Sequence, residues 1–106
     1  MILAQFYRAA DNRLLGFGIS GHADLDEYGL DIACASVSSA VMVTANTITD
    51  IFHIDAKTQE LENDILLKLK DDPDGIGDKL LLGLLTHLYM IKEEFPEAIN
   101  IRIIEK

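Results

Sequence analysis

The sequence predicts an α+β fold in two layers: about five short strands covered by two α-helices, in the order β-β-α-β-β-α-β. Three observations predict it. Short apolar runs alternate with polar residues at a period of two, and two longer segments repeat apolar residues every three or four positions. The chain has 106 residues, enough for one core and too few for two ordinary ones, so residues 1–106 are expected to form a single domain. Helices that are apolar along one side need a face to cover, and a sheet supplies it.

The runs ILAQFYR and LLGFGIS, on either side of the polar stretch AADN, predict strands at 2–8 and 14–20 paired as a hairpin. Gly16 and Gly18 fall on one face of the second strand, where the missing Cβ lets another element approach closely or lets the strand kink. From Asp31 the period changes. Val37, Val41, Ala45 and Ile48 mark one side of a helix that runs to about residue 49, with Asp31 as its expected N-cap. HIDAKTQ and DILLKLK then predict a second strand pair around a turn at 60–63, the first of the two weakly marked. The second helix is opened by acidic residues and Pro73 and closed by Pro96, with an expected apolar stripe of Ile76, Leu80, Leu84, Leu88 and Ile91. A last strand alternates Ile99, Ile101 and Ile103 with Asn100 and Arg102.

Composition narrows the function. Hydrophobic residues make up 49% and charged residues 25%, a globular balance, and the formal net charge is -9. Such acidity argues against direct binding of nucleic acid, which relies on Lys and Arg to displace counterions from phosphates; it would favour a basic protein partner, although solubility alone is the commoner reason for an acidic chain. The N-terminus has no basic segment before its apolar residues, and it is read as mature structure of a cytoplasmic protein. The apolar stretch at 80–91 falls short of the roughly 20 residues that span a bilayer, so no membrane contact is expected. A single cysteine excludes an internal disulfide and a cysteine-based zinc cage.

That cysteine, Cys34, is where chemistry enters. If Asp31 caps the helix, Cys34 occupies its first turn, where unpaired amides and the macrodipole favour a thiolate. The thiolate is the nucleophile, and a helix N-terminus with a nearby imidazolium lowers a thiol pKa from about 8.5 to below about 7, although the charge of Asp31 opposes the shift. His22 follows the second strand, in a segment with Gly21 and Gly29 at its ends. Glycine permits the turns that would fold this segment back and bring imidazole to thiol. Residues 23–30 would then form an active-site loop, with Ser38 one turn beyond Cys34 on the same side of the helix and Asp31 nearly so. The competing reading is plain burial: Cys34 extends the stripe of Val37 and Val41, and free cysteine is among the most buried residue types. The pattern alone favours it. His22 with Asp24, Asp26 and Glu27 also offers metal-binding groups, but without the spacing of a known ligand set, so no metal is expected. His87, on the apolar second helix, is expected to be a packing residue.

The segment GHADLDEYGLDIACASVSSAVMVTANTI resembles the bacterial ribosomal-processing cysteine proteases, the Prp family, whose pattern is Gly-His, a loop, Gly-x-Asp, Cys-Ala-x-Val-Ser and then Thr-x-Asn. Here these are Gly21 and His22, Gly29 and Asp31, Cys34, Ala35, Val37 and Ser38, and Thr44 and Asn46. Ala40 departs from the family's pattern, where a larger aliphatic residue is expected. The resemblance implies a cysteine endopeptidase that uses no cofactor and acts as a homodimer. It would remove the N-terminal extension of a basic partner, the large-subunit ribosomal protein L twenty-seven, by cutting after bulky aromatic residues. By the same resemblance Cys34 is the nucleophile and His22 the general base, with Gly21, Gly29, Asp31 and Ser38 as supporting residues. The alternative from another class is a non-catalytic ribosome-associated binding module with a packed cysteine.

Overall fold

The computed structural model describes residues 1–21, 30–61 and 64–106. Its elements follow the expected order: β1 (Ile2–Arg8), β2 (Leu14–Ser20), α1 (Leu30–Asn46), β3 (Ala56–Leu61), β4 (Asp64–Leu69), α2 (Ile76–Glu94) and β5 (Ile99–Glu105). A π-helical turn, Thr47–Ile51, continues α1. The strands form one sheet in the order β3-β4-β2-β1-β5, antiparallel except for β1 and β5, which run parallel.

Alternation in sequence becomes one covered face. Phe6 pairs with Phe17 and Phe17 with Leu67; Ala4 pairs with Ile19 and Ile19 with Ile65. Because successive side chains point to opposite sides of a strand, these residues share the face toward the helices. Ala33, Val37, Val41 and Ile48 from the first helical segment, and Leu81, Leu84, Leu85, Leu88 and Ile91 from α2, join them in one hydrophobic cluster. Two layers result, as expected.

The second strand's glycines permit close approach. A Cβ on Gly16 would lie 2.2 Å from the backbone oxygen of Leu67, and one on Gly18 would lie 3.2 Å from the Tyr7 hydroxyl. Only the bare backbone lets β4 pair at Gly16. At the β1–β2 turn, Asn12 takes a left-handed conformation (φ 72) and the Arg13 amide donates to the Asp11 carboxylate at 3.0 Å. At the same end of β1, Arg8 pairs with Glu105, whose hydrogen bond and charge raise the guanidinium pKa above its ordinary value.

Several boundaries differ from the sequence reading. Helix α1 begins at Leu30, so Asp31 lies inside the first turn instead of capping it, and Cys34 is one turn further in. The helical path runs two residues past 49, through a π-turn closed by the Phe52 amide on the Thr47 oxygen at 3.0 Å. Thr44, Thr47 and Thr49 all donate to carbonyls four residues back, the kind of hydroxyl contact that bends helices. Strand β3 begins at Ala56, because His53 adopts a left-handed conformation (φ 53) and breaks the extended path. The second hairpin is tighter than expected, since Glu60 and Leu61 are already paired with Ile65 and Asp64.

In α2 the buried stripe is Leu81, Leu84, Leu85, Leu88 and Ile91; Ile76 is exposed and Leu80 half-buried. The start of the helix explains the rotation. Asp72 accepts from the Gly77 and Asp78 amides, both at 2.9 Å, so this acid caps the helix. Asp78, itself buried, accepts from the Leu14 amide at 2.7 Å and so pins the helix start to β2. Among the described residues it is 32–51, and not 80–91, that form a stretch long and apolar enough by composition to cross a membrane. Its inner side supplies four residues of the core, Ala33, Val37, Val41 and Ile48.

Candidate active site

Cys34 stands where α1 meets the edge of the core. It is half-buried and packs against the hydrophobic cluster, so the packing reading holds in part, yet the residue remains accessible. Helical spacing sets its neighbours: residues three and four apart lie on one side of a helix. Cys34, Val37, Ser38, Val41 and Met42 accordingly line one side of a cavity of about 210 Å³.

The other sides come from elsewhere in the chain. Ile2 and Ile19 form the floor from the central strands, Gly21 contributes the end of β2, and Glu60, Leu61, Asp64 and Ile65 come from the β3–β4 hairpin. Gly21 has a positive φ of 76, and a Cβ there would fall 2.6 Å from the Met1 oxygen. No other residue fits this turn without displacing the N-terminal strand. The chain therefore leaves β2 at the rim of the cavity that holds the thiol.

Three of the six residues expected at the site, Gly21, Cys34 and Ser38, thus share one cavity. Asp31 lies in the first helical turn, three residues before Cys34. His22 and Gly29 lie outside the described residues, as do 23–29 of the expected loop and the metal-binding alternative with Asp24, Asp26 and Glu27. Leu30, assigned to the loop, is the first residue of α1.

The remaining motif residues face another way. Ala35 and Thr44 line a separate groove between α1 and α2, together with Ser39, Ala40, Gly83 and His87. Ala40 borders that groove, so its small side chain widens a gap remote from the thiol. His87 is exposed on α2 and is not a core residue. Asn46 is exposed at the end of α1.

Sequence reasoning missed the hairpin wall altogether. Leu61 and Met42, large apolar residues each 60% exposed, border the cavity from β3 and α1. Nothing local in the sequence ties residues 60–65 to Cys34. The connection is made by the β4–β2 ladder, where Ile65 pairs with Ile19.

This arrangement offers one nucleophile-forming group, a helix start nearby, and an apolar recess large enough for a ring. A cavity of about 150 Å³ lined by aliphatic side chains holds benzene. Comparison with known proteins points the same way. A family model described as cysteine protease Prp matches residues 1–100. The ribosomal processing cysteine protease Prp of Bacillus subtilis (strain 168) is 38% identical over 48 residues, which is 45% of this chain and 43% of that relative. The aligned stretch thus spans less than half of that relative's length. Among solved structures, an essential ribosomal processing protease Prp from S. aureus, in complex with a covalently linked product peptide, superposes with a TM-score of 0.88 at 24% identity, covering 97% of this chain and 99% of the other. A Streptococcus mutans protein superposes with a TM-score of 0.78 at 25% identity, covering 100% of this chain and 96% of the other.

Proposed function

The chain belongs to the family of cysteine protease Prp, enzymes of ribosomal-protein processing that hydrolyse peptide bonds, and from that premise we propose that it removes the N-terminal extension of the large-subunit ribosomal protein L twenty-seven. One observation carries the reading: the only cysteine of the chain opens onto an apolar cavity at the rim of the sheet. In this reading Cys34 is the nucleophile and His22 the general base, with Gly21, Gly29, Asp31 and Ser38 supporting them.

His22 takes the thiol proton, and the Cys34 sulfur attacks the scissile carbonyl carbon to form a C–S bond. Amides of the first turn of α1, which lack partners within the helix, face the negative charge that develops on the oxygen. The C–N bond then breaks as His22 returns the proton to the leaving amine. Water, deprotonated by His22, cleaves the thioester and restores the thiol. No step calls for a metal or cofactor. The structure of the S. aureus relative with a covalently linked product peptide supports a covalent route by analogy.

Cleavage after bulky aromatic residues agrees with the size and lining of the cavity. The excess of 18 acidic over 9 basic residues suits capture of a basic ribosomal protein. A cytoplasmic, reducing compartment keeps a single reactive thiol usable, and a homodimer is the assembly proposed.

The test incubates the purified protein with the ribosomal protein carrying an aromatic-containing extension and locates the cut by mass spectrometry. One cut directly after the aromatic pair is expected, absent with Cys34→Ala and His22→Ala, while Cys34→Ser still binds substrate. Intact substrate with the wild-type protein, or broad digestion of casein, would overturn the proposal. Binding without cutting would leave the non-catalytic module.

A further inference from the structure

The wall of the cavity opposite α1 is formed by Glu60 and Leu61 at the end of β3 and by Asp64 and Ile65 at the start of β4, and its chemistry differs from the floor. The floor is aliphatic and buried: Ile2, Ile19, Val37 and Val41. The rim carries two large apolar side chains left open to solvent, Met42 and Leu61. Two carboxylates border the same cavity: Asp64, paired with Leu61 on one face of the ladder, and Glu60, paired with Ile65 on the other. Among the described residues no cation is paired with either carboxylate, as is true of most of the acidic residues described.

Exposed apolar side chains bordering a recess are covered when a ligand enters it. Unpaired carboxylates next to them favour a positive charge on that ligand and disfavour a negative one. We propose that the adjoining ends of β3 and β4, with Met42, are the specificity element of this site: Leu61 and Met42 close on the bulky apolar side chain of the substrate, and Glu60 with Asp64 select a cationic residue near it. The inference rests on Cys34 as the nucleophile and adds which residues read the substrate and what charge they read. The hairpin's four cavity residues, Glu60, Leu61, Asp64 and Ile65, contribute selection and not catalysis, because they offer the reaction neither a nucleophile nor a cation for the oxyanion.

The experiment uses full-length protein and neutral peptides with one aromatic pair, in which a single lysine is walked through the four positions on each side of the cut. Wild-type protein should prefer lysine at one or more positions by about tenfold in kcat/KM, mostly through KM, and lose much of the preference at high salt. The double variant Glu60→Gln with Asp64→Asn should reduce that preference, read as the ratio of kcat/KM between each lysine peptide and the lysine-free one, to within about twofold. Leu61→Ala and Met42→Ala should each lower kcat/KM for the aromatic peptide by about tenfold. The alkylation rate of Cys34 should stay unchanged in all these variants, which separates selection from damage to the nucleophile. A lysine preference that survives the double variant, or none in the wild type, overturns the proposal and leaves the protease reading intact. A wild-type protein that cuts none of the peptides overturns both.

Discussion

Two clefts run along α1, and the larger one holds the less chemistry. The groove between α1 and α2 encloses about 710 Å³, but Ala, Ser, Thr and Gly residues make up most of its lining. The cavity between α1 and the β3–β4 hairpin holds about 210 Å³ and contains the thiol, two carboxylates and an aliphatic floor. Both clefts are products of the same helix, whose opposite sides carry the two halves of one motif. Cys34, Val37 and Ser38 look toward the smaller cavity, and Ala35 and Thr44 toward the larger groove. Size follows from how closely two helices pack; the proposed function follows from which recess contains the thiol.

The sharpest way to break this contrast is to change the smaller cavity. Cys34→Ala should reduce peptide cleavage at least about a thousandfold with little change in melting temperature, because the nucleophile and its base act as a unit. Comparable activity in the variant would move the chemistry elsewhere. Gly16→Ala comes next: the added Cβ collides with the Leu67 carbonyl, and the strand it displaces also carries the hairpin wall. A loss of about 2–4 kcal/mol in urea unfolding is expected, with a drop in activity beyond the unfolded fraction.

Asp78→Ala tests the other end of the molecule. It strands the buried Leu14 amide and should cost about 1–3 kcal/mol, while the folded fraction cleaves peptide normally. The smallest effect is expected in the larger groove. Nothing lies within 4 Å of a Cβ added at Gly83, so Gly83→Ala should stabilise α2 by about 0.5–1 kcal/mol through helix propensity alone. Peptide cleavage should be unchanged. Loss of activity in this variant would show that the groove takes part after all.

The elements legible in the sequence were those whose burial alternates. Strands β1 and β2 bury every second residue over much of their length, and α1 repeats its core positions at helical spacing, so local pattern sufficed. Strand β3 is an edge strand with five of its six residues exposed, and no burial period exists for the sequence to express. In α2 the run LLLGLL presents several equivalent stripes, and the choice of Leu81 and Leu85 over Ile76 and Leu80 was made by the anchoring of Asp78 to β2. At the site, Gly21, Cys34 and Ser38 were readable because glycine at a turn and helical spacing are local signals. Glu60, Leu61 and Asp64 were not, since sheet pairing across some forty intervening positions brings them to the thiol.

The central claim, that the smaller cavity with Cys34 is the working site, is tested most directly by alkylating that thiol in the native protein. With one cysteine in the chain, the mass added by iodoacetamide reports on Cys34 alone. The native protein should gain one carbamidomethyl group below pH 7, and an aromatic-pair peptide bound in the cavity should slow the reaction several-fold. A thiol that reacts only after unfolding, at a rate indifferent to the peptide, would contradict the claim and make Cys34 a packing residue.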